Sequence, residues 1–414
     1  MEVPRWIIST LLWLRIIVKQ PLKRKIAMTV VDFTMLRKQF PLIQERTYLA
    51  THSLGALPEE AFLDIEAYTQ SLYLGRRALP MWLERYEEIF QSIETLLNAP
   101  TGSIALAPSA TAAQAAIAAA IDPSNKRNRI IITDLDFPSC RYLWNAQVHR
   151  GFELIEIKAS EGMQIDAGDV IAQIDDRVAI VAVSLVSYLN SARLDIKPII
   201  KAAHGAGAIV VLDAYQAVGV ISLDLTSLGA DVVVGGTHKW LCGGMGLAFA
   251  YVEPALAEQL DPVYPGWFAH LQPTAFMETF TPAIGARRFQ QGIPSIEPIY
   301  TSRAGLQLAI DIGVEQIHQR NIELTSYLID YADLHGIPIH TPRDPQHRGG
   351  TVCLGVDRAE IVVQELAALG IDVDTRSAAR IRVSPHYCNT AADCRRSIEV
   401  IAQISATHTL AQKS

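Results

Sequence analysis

The sequence contains few cysteines, no long apolar run and no excess of positive charge. Its five cysteines are odd in number and include no Cys-x-x-Cys pair and no Cys/His cluster with metal-ligand spacing; they stand at positions 140, 242, 353, 388 and 394. This pattern argues against a disulfide framework and a structural metal site. We therefore expect reduced thiols in a cytoplasmic protein without a bound metal.

Residues 1–27 contain an apolar run at positions 7–18 that is interrupted by Ser9 and Arg15. This run is shorter than the about 20 residues that span a bilayer. A cluster of lysines and arginines follows it, whereas a secretory signal carries its charges first and ends in a small-residue cleavage site. We expect a disordered extension, or an upstream start with Met28 as the initiator, and no membrane partner. An interfacial amphipathic anchor is the alternative.

The charge balance is acidic, with 36 Lys and Arg against 43 Asp and Glu and a formal net charge of -7. The sequence has no basic stripe interleaved with aromatic residues, which argues against nucleic acid as a partner. A small molecule is the favoured partner. The length of 414 residues exceeds the size of one usual core and predicts a large and a smaller domain.

Apolar runs alternate with segments of helical spacing after about residue 58. Helical spacing is present over Pro58–Leu97 and over the alanine-rich Thr111–Ile121, which opens at Ser109. The predicted strands are Ile130–Ile132, Glu153–Ile157, Val178–Val183, Ala208–Leu212, Val232–Val234 and Leu247–Val252. This alternation predicts an α/β fold with a mostly parallel sheet wrapped by helices.

The carboxyl-terminal quarter of the sequence has a different pattern. A long helical stretch is predicted from Pro298 to about Leu334, and the segments after it are predicted as strand, helix and strand: Gly350–Val356, Ala359–Leu369 and Arg380–Ser384. We therefore place a large domain at residues 28–300 and a smaller α+β domain at residues 301–414.

The segment Ile209–Val252 carries the chemistry. One β-branched run stops at Asp213, and the next stops at a Gly-Gly-Thr-His sequence that precedes Lys239. Because parallel strands end at the same edge of a sheet, where ligands of open α/β sheets bind, a carboxylate and an amine are predicted to meet there. Pyridoxal phosphate requires a lysine to form a Schiff base with its aldehyde and a carboxylate to keep its pyridine nitrogen protonated. We predict this cofactor.

Several motifs resemble one known family. They are Tyr48-Leu-Ala-Thr-His-Ser-Leu-Gly-Ala-Leu-Pro58, Asp136-Phe-Pro-Ser139, Gly266-Trp-Phe-Ala-His270, Gly285-Ala-Arg-Arg-Phe289 and Arg382-Val-Ser-Pro-His-Tyr-Cys-Asn-Thr390. Together with the lysine segment they are similar to the class V aminotransferase superfamily of fold-type I pyridoxal phosphate enzymes. The first four look most like kynureninase, and the last is similar to the whole superfamily. The resemblance covers roughly residues 35–405. It implies a fold-type I enzyme, a homodimer and an amino-terminal segment that contributes to the small domain.

The resemblance also implies site roles around the cofactor ring. Lys239 is the Schiff-base lysine and the catalytic residue, and Asp213 is the partner of the pyridine nitrogen. Phe137 takes the place of the residue that stacks on the ring. Gln216 looks like the glutamine that bonds the phenolic oxygen in the cysteine desulfurases of the superfamily. Ser184 matches a further position that contacts the cofactor in kynureninase.

Other roles concern the two anionic groups. Ser109 opens a helix whose first residues, Ala110 and Thr111, offer backbone N–H groups, a hydroxyl and the positive dipole end to the cofactor phosphate. The resemblance adds His238 as a phosphate ligand and Trp267 as a residue that reaches the phosphate of a neighbouring subunit. Arg382 is expected to bind the substrate carboxylate bidentately; the nearby Arg376 and Arg380 are the alternatives.

The expected activity is a kynureninase-like cleavage of a side-chain bond in an α-amino acid. Three positions differ from kynureninase: Gln216 replaces histidine, Cys140 replaces aspartate, and Ile293 replaces threonine or asparagine. A class V aminotransferase, an epimerase or a carbon–sulfur lyase is the alternative, and a non-catalytic binding protein is the remote one. A cysteine desulfurase is not expected, because no cysteine lies about fifteen positions before Arg382.

Overall fold

The computed structural model describes residues 31–123 and 126–413 of the chain. The expectations for residues 1–27 concern a segment outside these ranges. Among the described helices, none combines the length and the apolar composition that crossing a bilayer requires.

A seven-stranded sheet organises the larger part of the protein. Its strands are β2 (Ile104–Ala107), β3 (Arg129–Thr133), β4 (Glu153–Ile157), β5 (Val178–Ser184), β6 (Ile209–Asp213), β7 (Val232–Gly236) and β8 (Ala248–Val252). They lie in the order β2-β8-β7-β6-β5-β3-β4, and every neighbouring pair except the two that involve β8 is parallel. The mostly parallel sheet predicted from the sequence is confirmed.

Strand β8 runs antiparallel to both of its neighbours, which the sequence pattern did not predict. The residues between β7 and β8 form no helix. Because a parallel return needs a crossover connection of a dozen or more residues, usually a helix, this short loop brings the chain back in the opposite direction. The short strand β2, which contains two alanines, was also not predicted.

Helices pack against this sheet and continue into the carboxyl-terminal part. The α-helices are α1 (Phe33–Arg37), α2 (Pro41–Glu45), α3 (Glu59–Leu72), α4 (Leu79–Leu96), α5 (Ala110–Ala120), α6 (Pro138–Ala146), α7 (Ala167–Ile171), α8 (Ile196–Ala206), α9 (Leu225–Leu228), α10 (Pro254–Gln259), α11 (Glu297–Ile312), α12 (Val314–Leu334), α13 (Ala359–Ala368) and α14 (Ala391–Lys413). Short 3-10 helices lie at Gly75–Ala78, Gln147–Arg150, Trp267–Ala269, Pro273–Ala275, Gly285–Phe289 and Pro345–His347.

The helix predicted from Pro298 to Leu334 is two helices. Gly313 separates α11 from α12 and has a φ of +85°, a backbone conformation that residues other than glycine rarely adopt. Its backbone N–H still bonds to Ala309 O at 3.1 Å, so α11 ends there in an ordered turn. Because the helical spacing of apolar residues continues on both sides of the glycine, the sequence predicted one helix.

The core of the larger part is formed by the strands and the helices that pack on them. Every residue of β7 is buried, which explains its uninterrupted Val-Val-Val-Gly-Gly sequence. The cluster around it includes Ile130, Ile180, Val211, Trp144 and Phe289, all less than a tenth exposed. This packing holds the ends of β5, β6 and β7 in fixed positions.

The carboxyl-terminal part has its own sheet and core. Strands β9 (Val352–Gly355), β11 (Asp374–Ser377) and β12 (Arg380–Val383) form an antiparallel sheet in the order β11-β12-β9. Strand β1 (Thr47–Tyr48) pairs in parallel with β10 (Ile371–Asp372), and Leu49 joins this core. The fold class, with its smaller carboxyl-terminal domain, is confirmed; the boundary after residue 300 stays a prediction.

Candidate active site

Two neighbouring parallel strands deliver the central pair of residues. Strand β6 ends at Asp213, and Lys239 follows the end of β7 by three positions. Both side chains line one cavity of about 350 Å³ at this edge of the sheet. The sequence therefore predicted correctly that a carboxylate and an amine meet there. A cavity of this size is within the range of small-molecule sites.

The amine of Lys239 lies among aromatic rings. Its Nζ is 4.7 Å from the ring centre of Tyr215 and 5.7 Å from that of Phe137. Burial lowers the pKa of Lys239 to about 8, although the negative charge of Asp213 opposes this shift. A substantial share of the amine is therefore uncharged in mildly alkaline solution, which is the form that attacks an aldehyde.

The carboxylate of Asp213 is held at both oxygens. Oδ1 accepts a hydrogen bond from the backbone N–H of Tyr215 at 2.8 Å. Oδ2 lies 3.0 Å from the sulfur of Cys140. Each oxygen keeps a further lone pair with which it can accept a hydrogen bond from a ligand in the cavity.

His238 and Tyr215 form a neutral pair beside the lysine. The Nδ1 of His238 lies 2.8 Å from the phenolic oxygen of Tyr215. Burial and the nearby Lys239 lower the pKa of His238 to about 4, and burial raises the pKa of Tyr215. Both groups are therefore uncharged, and a single hydrogen bond joins the phenol to Nδ1. A side chain at Gly236 would collide with this phenol, so the close approach depends on glycine.

The start of α5 provides a place for an anion. Ser109 caps the helix, and its side chain accepts a hydrogen bond from Ala112 N at 3.1 Å. The N–H groups of the first helical turn have no partner within the helix, and the dipole adds positive charge there. Ala110 and Thr111 both line the cavity. The structure thus brings the predicted phosphate-binding residues into the same cavity as Lys239.

Phe137 directly follows a buried aspartate in the chain, and the backbone of Ser184 bonds to the same aspartate. Asp136 accepts hydrogen bonds from the backbone N–H groups of Thr133 and Ser184, each at 2.7 Å, and burial raises its pKa to about 6. These bonds fix the turn that presents Phe137, whose side chain is 40% exposed and contacts Tyr188 edge to face at 5.1 Å. An exposed face on a cavity wall suits a stacking role.

Most of the amide of Gln216 is occupied. Its Oε1 accepts from the indole of Trp240 at 3.1 Å, and its Nε2 donates to the carbonyl of His52 at 3.0 Å. The indole is only a donor, which fixes the orientation of the amide. One hydrogen of Nε2 remains for a ligand, so the predicted bond to a phenolic oxygen would use this hydrogen.

Arg382 lines the cavity but is paired within the protein. Its Nε donates to Asp374 Oδ1 at 2.8 Å and its Nη2 donates to Asp374 Oδ2 at 2.7 Å. Its Nη1 donates to the carbonyl of Tyr188, and its side chain is only 3% exposed. Nη2 also donates a long hydrogen bond of 3.4 Å to Ser53 Oγ, whereas Nη1 keeps a second hydrogen. A carboxylate can therefore bind at the end of this guanidinium.

Asp374 joins two arginines to a histidine. Burial opposes its ionisation, but the hydrogen bond from His52 and the charge of Arg382 hold the pKa of Asp374 well below its usual range. His52 Nε2 is 2.7 Å away, and burial lowers the pKa of His52 to about 4, so we assign a neutral ring that donates through Nε2. Arg376 lies 3.3 Å from the same carboxylate and is half exposed. Arg376 also lines the cavity, so it could reach the carboxylate of a substrate, as the alternative to Arg382 requires.

Asp374, His52 and Tyr215 were not predicted from the sequence as site residues. Asp374 stands directly opposite Arg382 in the register of β11 and β12, so the pair belongs to a β-hairpin. The sequence signal that could have revealed this pair is an aspartate eight positions before the arginine, with a turn between the two residues. Tyr215 follows Asp213 by two positions and gave no signal of its own.

Trp267 is the one predicted cofactor residue that does not line this cavity. Its ring stacks on Phe276 at 5.1 Å and meets Phe268 edge to face at 4.8 Å. The predicted contact of Trp267 runs to a neighbouring subunit, so both this contact and the homodimer stay predictions.

The cysteines are buried and unpaired, as their spacing indicated. Cys353 lies in β9 and is fully buried, so it is not a nucleophile on a mobile loop. Within residues 31–123 and 126–413, no group of three or more His, Cys, Asp or Glu side chains has the arrangement of a metal site.

The chain is similar to known proteins over most of its length. The family model for class V aminotransferases matches residues 78–404. A Bacillus subtilis protein described as the uncharacterized aminotransferase YcbU is 29% identical over 88% of this chain and 96% of its own length. The kynureninase of Geobacillus thermodenitrificans is 28% identical over 84% of this chain and 86% of its own.

A solved structure shows the same fold at lower sequence identity. The apo cysteine desulfurase of Thermococcus onnurineus NA1 superposes with a TM-score of 0.79 and 21% identity. The match covers 90% of this chain and 98% of the desulfurase. It therefore extends over both the seven-stranded sheet and the carboxyl-terminal sheet.

Proposed function

The chain belongs to the class V aminotransferase family and is a pyridoxal phosphate-dependent enzyme of that fold. We propose that it is a kynureninase-like hydrolase. Its substrate would be an α-amino acid that loses part of its side chain. The observation that carries the cofactor assignment is the meeting of Lys239, Asp213 and the start of α5 in one cavity. The kynureninase relatives favour the reaction class.

The residues of the cavity fit the cofactor group by group. Ala110 and Thr111 at the start of α5 suit the phosphate, and Asp213 suits the ring nitrogen. Phe137 offers the exposed face on which the ring stacks. When bound, pyridoxal phosphate supplies an aldehyde for a covalent bond with an amine and a ring that draws electrons from the substrate.

Lys239 would have two tasks in this site. Its Nζ would hold the cofactor through the aldehyde, and it would accept the proton from the α-carbon of the substrate. Both tasks need an uncharged amine, and burial favours this form by lowering the pKa of Lys239 to about 8. The neutral His238 beside it adds no positive charge that would repel the proton.

Arg382 would bind the carboxylate of the substrate through the remaining hydrogen of Nη1 and through Nη2, where the carboxylate would replace the long bond to Ser53. Asp374 fixes the plane of the guanidinium, so little rotamer entropy is lost on binding. Because Asp374 balances the charge of Arg382, the half-exposed Arg376 supplies the uncompensated positive charge that attracts the carboxylate.

A second cavity would receive the side chain of the substrate. Its volume is about 150 Å³, it shares Pro108 and Gly246 with the first cavity, and Ile293 lies in its wall. Gln290 also lines it; the Oε1 of Gln290 accepts from Tyr86, whereas its buried Nε2 has no partner among the described residues. Such a donor costs about 1–3 kcal/mol, so a carbonyl group of the substrate that bonds to it would be stabilised.

The test of this proposal is the release of fluorescent anthranilate from L-kynurenine. We expect the purified protein supplied with pyridoxal phosphate to release anthranilate, and the same protein stripped of cofactor to be inactive. Release would show that Gln216, Cys140 and Ile293 are compatible with the reaction. A protein that carries the cofactor but stays silent would contradict the hydrolase, and a carbon–sulfur lyase, an epimerase or an aminotransferase would replace it.

The rate of cofactor attachment is expected to depend on pH through Lys239. Because its pKa is lowered to about 8, the amine is mostly protonated below this pH and mostly free above it. Attachment to the cofactor-free protein should therefore speed up as the pH rises from about 7 to about 9 and then level off. Stopped-flow absorbance measures this rate; a flat profile, or a midpoint near that of an ordinary lysine, would contradict the assignment.

A further inference from the structure

Cys140 lies between the carboxylate of Asp213 and a buried amide. Its sulfur is 3.0 Å from Asp213 Oδ2 and 3.2 Å from Gln114 Nε2. Cys140 is 6% exposed and Gln114 is 1% exposed. Neither the family resemblance nor the reaction proposed above uses this thiol.

The direction of the hydrogen bonds follows from the chemistry of each group. The indole of Trp144 is only a donor, and it donates to Gln114 Oε1 at 3.0 Å. The amide nitrogen of Gln114 must then face the sulfur and donate to it. The single hydrogen of the thiol is left for Asp213 Oδ2. Burial, reinforced by the charge of Asp213, raises the pKa of Cys140 far above its usual range, so the thiol keeps this hydrogen.

We propose that Cys140 is a positioning residue for Asp213, whose carboxylate it fixes and stabilises by donating the thiol hydrogen to Oδ2. The proposal rests on the proposed function in one respect, since it takes Asp213 to be the partner of the cofactor's ring nitrogen. With the backbone N–H of Tyr215 on Oδ1, the carboxylate is held in one plane and has lone pairs left for that nitrogen.

A thiol acts differently at this position from the aspartate that kynureninase carries there. Two carboxylates at this distance repel each other, and one of them then holds a proton. The thiol instead donates a hydrogen without adding a charge, and the indole and amide behind it fix its direction. Trp144 and Gln114 therefore orient the thiol of Cys140, and this thiol in turn orients the carboxylate of Asp213.

The test compares three variants by their equilibrium affinity for pyridoxal phosphate, measured by absorbance titration of the cofactor-free protein. Cys140→Ala removes the donor, and Cys140→Ser keeps one. Cys394→Ala is the matched control, because Cys394 is also buried but lies in the carboxyl-terminal core. We expect roughly tenfold weaker binding for Cys140→Ala, most of the affinity restored by Cys140→Ser, and no change for the control.

A cofactor analogue in which carbon replaces the ring nitrogen separates this role from a purely structural one. Because Asp213 has no ring nitrogen to hold in that complex, wild type and Cys140→Ala should bind the analogue equally. An equal loss for both compounds, or a loss no larger than that of Cys394→Ala, overturns the positioning role. A wild-type protein that binds neither compound overturns the proposed function and the positioning role with it.

Discussion

Replacing Lys239 with alanine is expected to lower the turnover number by roughly 10⁴-fold, since one change removes both the covalent attachment point and the base at the α-carbon. The side chain lines the cavity and lies 4.7 Å from the ring of Tyr215. Steady-state assay with the best substrate measures the effect. The matched control is Lys197→Ala, which removes an exposed lysine of α8 and should leave turnover unchanged.

A small primary amine offers a second test of the same role. If Lys239 acts as a base, added methylamine should restore part of the lost turnover, and the restored rate should rise with the concentration of the uncharged amine. A Lys239→Ala variant that keeps wild-type turnover without any added amine would show that the reaction uses another base.

Asp374→Asn is expected to destabilise the protein by about 3 kcal/mol, because it leaves the guanidinium of Arg382 buried without a compensating charge. Arg382 is 3% exposed and makes two hydrogen bonds to this carboxylate. The variant should also bind the substrate more weakly, since the guanidinium loses its fixed plane. Urea unfolding and the KM measure the two effects.

The control for this variant is Asp333→Asn. Asp333 also pairs with an arginine, Arg343, through two hydrogen bonds, but both side chains are largely exposed to solvent. Exposed pairs of this kind contribute about 1 kcal/mol or less. Equal destabilisation by the two variants would mean that the burial of Arg382 does not make Asp374 important.

The sequence predicted the central pair because two signals agreed. The three central residues of β6 and every residue of β7 are buried, so both strands appear in the sequence as uninterrupted apolar segments. Neighbouring parallel strands then bring their ends to one edge of the sheet. The cavity and the start of α5 beside it follow from the same alternation of strands and helices.

Other features depend on pairings between distant segments, which no local pattern records. His52 meets Asp374 only because β1 pairs with β10 and carries the following residues into the carboxyl-terminal sheet. The bond between Cys140 and Asp213 likewise joins the start of α6 to the end of β6. The amide of Gln216 was expected to face the cofactor, but Trp240 and His52 take most of its hydrogen bonds.

The most direct test of the site is to reduce the cofactor-loaded protein with borohydride and map the modified peptide by mass spectrometry. Reduction converts the bond between the lysine and the cofactor into one that survives digestion. We predict a single labelled residue, Lys239, and no label in Lys239→Ala. A label on another lysine, or a wild-type protein that binds the cofactor without forming a reducible bond, would contradict the account.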